Sequence, residues 1–478
     1  MKRSITFTAL LVLLAAAATA ACAGDRLPAF PGAEGFGAGS VGGRGGRVIK
    51  VTNLDARGPG SLQAACSAEG PRTVVFDVSG VIPGDVVIET GRISIMGQTA
   101  PGAGVTIEGM LSTRYNSPQA IDDVVVRFLR VRPTSARGSG GDAIQFSQAR
   151  RVILDHVSCS WASDETIDIY SARDVTVQWC SIEESVVTGH PKGRHNYGLI
   201  SGPRGERVSI HHNLFAHHAR RCPAIANGPA DVRNNVIYNF RDGLSHEGHK
   251  PNDRGFNLIG NYYKRGPSDP KIFPFCFRGD VSYYLRDNFI EGVGIIQDPW
   301  AEANKLPGLK YYARHGRKAA NEFPVAKVTT HSPKTAYELV LQRAGCLPRD
   351  AVTRRIVREV RTGTGAWGRP GTEPLMQDLR PQQPPRDSDQ DGMPDAWEEA
   401  HGLDPDDRSD HRHAMKSGYT AIEEYCHEVA AEVLSPKTSN GPSRKTRCEC
   451  RIGTAATVAS RPPMSTVIWL HFAAVQRK

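Results

Sequence analysis

A short pattern of hydrophobic and polar positions recurs between residues 120 and 290 of this chain. Each copy has two apolar residues separated by one other residue, then two variable residues, then an asparagine or another small residue and a further apolar one. Alternation of this kind is typical of a short β-strand with one buried face, and each strand is followed by a turn. The copies, in chain order, are VVVRFLRV, VILDHVSC, VTVQWCSI, VSIHHNLF, ADVRNNVI, FNLIGNYY and YYLRDNFI.

In the later copies one column of the pattern is always asparagine. Its members are Asn213, Asn235, Asn261 and Asn288, which are 22, 26 and 27 residues apart. Such a column favours an all-β parallel solenoid, because amides stacked from coil to coil can hydrogen-bond their counterparts above and below. The unequal spacing predicts loops of different length on one side of the coil. The alternative is an antiparallel β-sandwich, but Asn-Gly signals at two-residue hairpin loops are missing from this region.

The N-terminal residues predict export. Lys2 and Arg3 precede an apolar run and then small residues suited to cleavage, which indicates a secretory signal over residues 1–23. The apolar run is too short to span a bilayer. Cys22 would be the lipid acceptor if the protein were a lipoprotein, so the predicted location is secreted or periplasmic, without a membrane span.

The formal net charge of +9 does not indicate an acidic partner. The signal is basic, and residues 436–478 contain eight Lys and Arg against one acid, Glu449. These two segments account for the excess, so the body of the chain is close to neutral. We therefore predict no nucleic-acid partner, and only local clusters of charge can indicate the substrate.

Several motifs resemble those of the family 1 polysaccharide lyases, the pectate lyases, and in particular their secreted bacterial members. They are AFPGAEGFG, VTNLDARGPGSLQAA, TVVFDVSG and GNYYKRGP, in this order between about Phe30 and Pro267. The resemblance implies a right-handed parallel β-helix that cleaves de-esterified homogalacturonan by β-elimination with Ca²⁺. It also implies a monomeric enzyme that acts on an acidic plant-type polysaccharide and releases 4,5-unsaturated oligogalacturonides.

The resemblance extends to the catalytic and substrate-binding residues. The family's motif of His-His-Asn followed by Arg-x-Pro falls on His211–Asn213 and Arg221–Pro223, so Arg221 is the predicted catalytic base. Arginine normally stays protonated, and the alternative is that Arg220 and Arg221 only clamp carboxylates. Asn196 stands where the family has a substrate-binding lysine, and Ala226 where many members have a second arginine. The predicted substrate-binding residues are Lys192, Arg194, His195, His217 and Arg220.

Three aspartates match the family's calcium ligands. They are Asp142 in GGDAIQF and Asp164 and Asp168 in DETID, while Gly140 replaces a further aspartate of the family. Removing the C5 proton of a galacturonate adds negative charge beside a carboxylate, so a cation must first neutralise that group, and Ca²⁺ held by oxygen ligands suits this task. The structural alternative is that these residues are turn aspartates.

A second calcium motif follows the Pro-rich linker at residues 376–386. The stretch DSDQDGMPDAWE has the spacing of an EF-hand-type loop with glycine, Gly392, at position 6. We predict a structural calcium module over residues 387–435, and an acidic solvated linker is the alternative. The ligands at positions 1, 3, 5, 9 and 12 would be Asp387, Asp389, Asp391, Asp395 and Glu398.

The stretch HHNLFAHHARRCP contains four histidines at positions 211, 212, 217 and 218. They alternate faces and lack a carboxylate or cysteine at ligand spacing, so we do not predict zinc there. We expect His212 to point inward as a ladder residue, and His217 or His218 to line the cleft.

The predicted organisation is a signal (1–23), a β-helix lyase domain (24–300), an extension that packs on the helix (301–375), the linker (376–386), the calcium module (387–435) and a disordered basic tail (436–478). Two other functions are considered. One is a lyase for another uronate or for esterified pectin. The other is a non-catalytic polysaccharide-binding solenoid, which Gly140 and Ala226 support best.

Overall fold

The structure is a computed structural model that describes residues 27–113, 121–134, 141–246, 254–302, 304–306 and 315–435. The predicted signal, with Cys22, and the predicted tail at 436–478 lie outside the described residues. Gly140 also lies outside them.

Three long sheets run through the described chain, and the strands visit them in turn. Strand β14 (Arg173–Gln178) belongs to sheet 1, β15 (Ser181–Glu183) to sheet 2 and β16 (Tyr197–Ser201) to sheet 3, after which β17 (Glu206–His211) returns to sheet 1 and pairs with β14 in parallel. Among the strands of the described residues, only β27 (Asn288–Ile290) and β28 (Gly294–Ile296) pair antiparallel. The predicted parallel β-helix is therefore confirmed, and the β-sandwich alternative was wrong.

The strands of each sheet are as follows. Sheet 1 contains β1 (Arg47–Val51), β2 (Arg72–Phe76), β5 (Ile93–Met96), β8 (Asp122–Arg127), β11 (Arg150–Asp155), β14 (Arg173–Gln178), β17 (Glu206–His211), β20 (Ala230–Arg233), β23 (Phe256–Ile259), β26 (Ser282–Arg286) and β29 (Arg317–Lys318). Sheet 2 contains β3 (Gly80–Pro83), β6 (Val105–Glu108), β9 (Leu129–Val131), β12 (Ser158–Cys159), β15 (Ser181–Glu183), β18 (Leu214–Ala216), β21 (Val236–Tyr238), β24 (Tyr262–Lys264), β27 (Asn288–Ile290) and β28 (Gly294–Ile296). Sheet 3 contains β4 (Val86–Ile88), β7 (Leu111–Thr113), β10 (Ile144–Gln145), β13 (Glu165–Asp168), β16 (Tyr197–Ser201) and β19 (Ala224–Ile225), and β22 (Asp242–Leu244) pairs with β25 (Phe273–Phe275).

Each copy of the repeat spans the corner between sheet 1 and sheet 2. The fifth residue of every copy has a φ between 52° and 62°, a left-handed conformation that turns the chain sharply. Several of these corner residues are aromatic and stack on one another: Phe128 on His156 at 4.8 Å between ring centres, and Trp179 on His212 at 4.4 Å.

The predicted asparagine ladder is confirmed. The amide nitrogen of Asn213 donates to Oδ1 of Asn235 (3.0 Å), that of Asn235 to Asn261 (3.0 Å) and that of Asn261 to Asn288 (3.0 Å). The same Oδ1 atoms accept backbone N–H groups of the preceding coil, and all four side chains are fully buried. Each asparagine therefore satisfies polar groups that the corner would otherwise leave without partners.

The outer face of sheet 2 is covered by helices. Leu214 and Val236 on this face pack against Val340 and Ile356 of two helices that follow the coil. Asp350 caps the second helix by accepting from Thr353 N–H (3.0 Å), and its carboxylate also pairs with the fully buried Arg132. The α-helices are α1 (Leu62–Ser67), α2 (Pro333–Arg343), α3 (Ala351–Thr362), α4 (Asp395–His401) and α5 (Ala421–Leu434), and 3₁₀ turns lie at Phe36–Gly39, Gly97–Thr99 and Asp410–Arg412.

The outer face of sheet 1 is also apolar in part, and the C-terminal segment covers it. Val125 and Ile153 of this face lie in one buried cluster with Met393, Ile422 and Cys426. Residues 387–435 therefore pack on the coil, within one compact unit. None of the helices in the described part of the chain has both the length and the apolar composition needed to cross a bilayer.

Candidate active site

Sheet 3 presents polar side chains on its outer face. In the register of this sheet, Gln145 pairs with Asp168, while Ile144, Ile167 and Leu199 are fully buried in the core. Because side chains alternate along a strand, Gln145 and Asp168 point away from that core. The predicted site residues cluster on this face and in the loops that enter it.

A group of three carboxylates is formed by Asp142, just before strand β10, and by the first and last residues of strand β13, Glu165 and Asp168. Asp142, Glu165 and Asp168 each offer an oxygen within 4.8 Å of the others. Asp142 accepts hydrogen bonds from the backbone N–H of Glu165 (3.0 Å) and from the side chain of Gln145 (3.2 Å). Burial and the neighbouring Asp164 raise the pKa of Asp142 to about 8. A cation would relieve this crowding of negative charge, and an all-oxygen group suits Ca²⁺.

Arg221 lies against this group and is held from two sides. Its guanidinium forms an ion pair with Glu165, and its Cζ lies 4.2 Å from the centre of the Tyr197 ring. The backbone of Arg221 is left-handed, with φ at 61°, and its carbonyl accepts from Leu199 N–H (2.8 Å). The arginine predicted from the motif and two of the predicted calcium ligands, Asp142 and Asp168, therefore meet on one face.

Asp164 is placed differently from the prediction. Its carboxylate lies 3.2 Å from Nε2 of His190 and 3.6 Å from Nε2 of His195, and it is not part of the three-carboxylate group. The neighbouring Glu165 takes its place there. The three-carboxylate group therefore differs from the predicted calcium set of Asp142, Asp164 and Asp168 at this one residue.

Of the residues predicted to bind the substrate, three are exposed cations and one is a histidine beside Asp164. Lys192 and Arg194 are exposed in the loop between β15 and β16, where they are available to an acidic chain. The side chain of Arg220 is 52% exposed and donates to Asp242 (2.8 Å). His195 faces Asp164 and packs on the Tyr197 ring at 4.7 Å.

The prediction that His217 binds substrate is wrong. Its side chain is fully buried beneath α3, where Nε2 lies 3.0 Å from the carboxylate of Glu359 and Nδ1 accepts from Asn239 (2.8 Å). His218 is buried as well, between Ser185 and the carbonyl of Ile182. Neither imidazole can contact a polysaccharide on the outer face of sheet 3.

The remaining histidines and Asn196 have structural contacts. His212 contacts His211 (3.0 Å) and His331 (2.9 Å) through its two nitrogens. Burial lowers the pKa of His211 to about 3, so the ring is neutral at physiological pH. The amide of Asn196 holds the loop at its base by accepting from Ala219 N–H (2.6 Å) and by donating to Ser185.

The C-terminal loop forms a second acidic cluster. Asp387, Asp389 and Asp391 offer oxygens within 4.8 Å of one another, and so do Asp391, Glu398 and Asp410. Burial and the surrounding carboxylates raise the pKa of Asp391 to about 7 and that of Glu398 to about 8. Buried oxygens without a hydrogen-bond partner in the described protein are Asp389 Oδ2, Asp391 Oδ2, both oxygens of Glu398, and Asp410 Oδ1. These residues fit a calcium ion well, because it would supply the missing partners.

Asp395, a predicted ligand of this loop, is not part of the acidic cluster, whereas Asp410, which was not predicted, belongs to it. The carboxylate of Asp395 accepts from the backbone N–H (2.7 Å) and hydroxyl (2.8 Å) of Ser388 and caps the loop. Asp410, from outside the twelve-residue motif, lies beside Glu398 instead. No spacing rule for a single loop could have identified Asp410.

The fold and the site together define a parallel β-helix protein with an arginine beside a carboxylate group, as expected for a polysaccharide lyase. Comparison with known proteins identifies the family. The chain is 36% identical over 444 residues to probable pectate lyase C of Aspergillus fumigatus. This alignment covers 90% of this chain and 98% of the relative. It is also 36% identical to probable pectate lyase C of Aspergillus terreus, over 84% of this chain and 94% of the relative.

The chain therefore belongs to the pectate lyase family, and the predicted enzyme class, a pectate lyase, is confirmed. A scan against models of protein families gives no match. Among solved structures, a Bacillus sp. N165 pectate lyase in complex with trigalacturonate aligns with a TM-score of 0.47 and 16% identity, over 65% of this chain and 98% of that one. The cedar pollen allergen jun a 1 aligns with a TM-score of 0.46 and 18% identity, over 66% of this chain and 93% of that one.

Three site residues were missed by sequence reasoning. Besides Asp410, these are Glu165, which lies inside the DETID motif itself, and His190, which begins the stretch HPKGRH. Both belong to short acidic or basic clusters, so composition alone marks them as candidates. Their roles could not be predicted, because the direction of each side chain depends on where its strand or loop begins.

Proposed function

We propose that this protein cleaves de-esterified homogalacturonan, the polysaccharide pectate, by calcium-dependent β-elimination. The products would be 4,5-unsaturated oligogalacturonides. The observation that supports this most directly is the meeting of Arg221 with Asp142, Glu165 and Asp168 on one face of sheet 3. These residues come from three coils of the helix, and the coil of Tyr197 lies between that of Glu165 and that of Arg221, so only the folded helix brings them together.

The reaction removes the proton from C5 of a galacturonate. The electron pair of that C–H bond forms the C4–C5 double bond, and the bond from C4 to the glycosidic oxygen breaks. The departing oxygen keeps the electron pair of that bond and takes a proton from water. We assign Arg221, whose guanidinium must first give up one proton to solvent, to receive the C5 proton. A carboxylate beside a guanidinium favours its protonated form, so the ion pair with Glu165 competes with this role and must loosen in the reactive complex.

Calcium would be held by Asp142, Glu165 and Asp168, and it would supply a Lewis acid for the substrate carboxylate beside C5. Glu165 then has two partners within reach, the cation site and Arg221. The ring of Tyr197 keeps the guanidinium plane in place while Glu165 changes partner. Lys192, Arg194 and Arg220 would bind carboxylates of neighbouring sugars, since they are exposed cations around this face.

We further propose that the enzyme acts outside the cytoplasm, as a monomer, after removal of the predicted signal. The C-terminal cluster of Asp387, Asp389, Asp391, Glu398 and Asp410 would bind a structural calcium ion. It resembles the single calcium repeats of exported bacterial proteins.

The experiment follows ultraviolet absorbance of the unsaturated product when purified protein is mixed with polygalacturonate and Ca²⁺. We expect product formation in the wild type, and losses of at least about 100-fold in Arg221→Ala and in Asp168→Asn. Arg173→Ala is the matched control, because Arg173 is an exposed arginine of sheet 1. Its activity should equal that of the wild type.

Chelation alone would remove calcium from both acidic clusters, so Asp168→Asn is needed to test the cluster on sheet 3. Full activity of Arg221→Ala would remove the assignment of the base. A folded wild-type protein without activity on any uronate polymer would favour a binding solenoid over the proposed lyase.

A further inference from the structure

We propose that Asp164, His190 and His195 form a binding site for a divalent transition metal ion, with Zn²⁺ as the favoured occupant. The site lies beside the all-oxygen group of Asp142, Glu165 and Asp168 and is separate from it. The proposal goes beyond the proposed lyase activity, since it gives a transition metal as the ligand of Asp164 and His195, which were predicted to bind calcium and substrate.

The distances from Asp164 to the two imidazoles suit a small metal ion. Nε2 of His190 lies 3.2 Å from one oxygen of Asp164, and Nε2 of His195 lies 3.6 Å from the other. All three residues offer a ligand atom within 4.8 Å of the others. Two ligands that each lie 2.0–2.1 Å from a tetrahedral zinc ion are about 3.3 Å apart. The two separations between Asp164 and the imidazoles are therefore close to those of a zinc site. The centres of the two imidazole rings are 3.7 Å apart, so the rings must move apart to give tetrahedral angles at the ion.

The chemistry of the ligands separates this site from the calcium group. Ca²⁺ takes oxygen ligands almost exclusively, whereas two imidazoles and one carboxylate are typical ligands of Zn²⁺ and neighbouring transition metals. Asp164 and Glu165 are consecutive, and their side chains point to different partners: Asp164 to the histidines and Glu165 to Arg221. One short segment thus serves two cation sites of different preference.

Contacts around the imidazoles hold one ring in a metal-binding orientation. Nδ1 of His195 lies 2.9 Å from the carbonyl of Gly193, so this nitrogen donates and Nε2 presents its lone pair towards Asp164. Nδ1 of His190 accepts from Lys192 N–H (3.2 Å), and metal binding through Nε2 requires this long contact to be given up. Lys192 lies in an exposed loop that can make this adjustment.

The site is open on one side. The side chains of His190, His195 and Asp164 are 9%, 13% and 29% exposed. Three protein ligands with an accessible fourth position are typical of zinc sites that bind water or a substrate oxygen. His195 packs on the ring of Tyr197, and Arg221 lies over the same ring. The proposed metal site is therefore close to the proposed catalytic group.

The test is metal binding by the full, metal-stripped protein in excess Ca²⁺, which keeps the oxygen groups occupied. Zn²⁺ is titrated by calorimetry, and Co²⁺ is added as a spectroscopic probe whose visible absorption reports four-coordinate geometry. We expect one equivalent of Zn²⁺ per chain and a tetrahedral Co²⁺ spectrum. In the double variant H190Q/H195Q the affinity should fall at least about 10-fold.

The matched control is H401Q/H413Q, which removes two histidines of the C-terminal segment and should bind zinc as the wild type does. Asp164→Asn tests the same site with an almost isosteric change, in case the double variant fails to fold. Equal zinc affinity in wild type, H190Q/H195Q and Asp164→Asn, or no zinc binding by the wild type, would overturn the proposal. Because binding is measured without substrate, the result does not depend on whether the protein is an active lyase.

Discussion

At the scale of single residues, the site depends on how one arginine is held. Arg221 forms an ion pair with Glu165 and a cation–π contact with the ring of Tyr197. The ion pair restrains the position of the guanidinium, and the ring restrains its plane. Both restraints matter, because a reacting group displaced by about 1 Å can lose much of its rate advantage.

Replacing Tyr197 by leucine should therefore slow turnover without abolishing it. A cation–π contact is worth about 0.5–2 kcal/mol, so we expect kcat on polygalacturonate to fall roughly 3- to 30-fold while KM changes little. Tyr197→Phe is the control, because it keeps the ring under Arg221. Equal kcat values in the leucine and phenylalanine variants would show that the ring does not position the arginine.

The assignment of acids shows how far single residues could be predicted. The motif DETID located the segment correctly, but Glu165 rather than Asp164 joins Asp142 and Asp168. Successive side chains along extended backbone point in different directions. A shift of one position therefore exchanges one acid for its neighbour, and no spacing rule settles that choice.

At the scale of elements, the corner between sheets 1 and 2 determines the coil. A left-handed residue makes the turn, and the side chain of the asparagine that follows it satisfies a backbone N–H and a backbone carbonyl of the preceding coil. This combination explains why the column of asparagines was visible in the sequence before any strand boundary was known. The ladder ends at Cys180, whose backbone N–H donates to Oδ1 of Asn213 (2.8 Å).

Removing one amide from the ladder should be costly. In Asn235→Ala, the backbone N–H of Asn213 and the carbonyl of Ile210 lose buried partners, and each such loss costs about 1–3 kcal/mol. We expect the free energy of unfolding in urea to fall by about 2–4 kcal/mol. Cys180→Ala, in the same column but without an amide, is the control and should cost about 1 kcal/mol. Equal losses in the two variants would contradict a special role for the ladder.

At the scale of the whole molecule, the C-terminal segment is a cover for sheet 1. Met393 lies within the acidic loop and is fully buried among residues of sheet 1 and α5. Lys50 of sheet 1 also pairs with Asp387 at the start of the loop (2.6 Å). Occupancy of the loop by calcium should therefore stabilise the coil as well as the segment itself.

Removal of calcium should lower the thermal midpoint of the whole protein. An ion present at 100 times its Kd adds about 2.7 kcal/mol of stability, which corresponds to a shift of roughly a few degrees in a chain of this size. We expect Glu398→Gln to have a low midpoint that rises much less with Ca²⁺ than that of the wild type, because only the cluster on sheet 3 still binds the ion. Asp395→Asn, whose carboxylate caps Ser388, should respond to calcium as the wild type does. An equal calcium-dependent rise in Glu398→Gln and in the wild type would contradict the assignment of the ion to this loop.

The sequence by itself determined the class of fold, the family and the positions of Arg221, Asp142, Asp168 and the acidic C-terminal loop. The fold class and the acidic loop depend on local periodicity and spacing, because a strand, a corner and a twelve-residue loop each bring together residues that are close in the chain. The family and the positions of Arg221, Asp142 and Asp168 follow instead from the motifs that resemble those of the pectate lyases. The asparagine column is the clearest case, since each member performs the same local task in successive coils.

Only the tertiary structure decided the partners of these residues. His217 lies under α3, Asp410 joins Glu398, and His190 joins Asp164. Each of these pairs is made by elements whose separation along the chain varies freely with loop length. The approach of two such side chains depends on how coils, helices and loops pack, which no local pattern of hydrophobic and polar residues encodes.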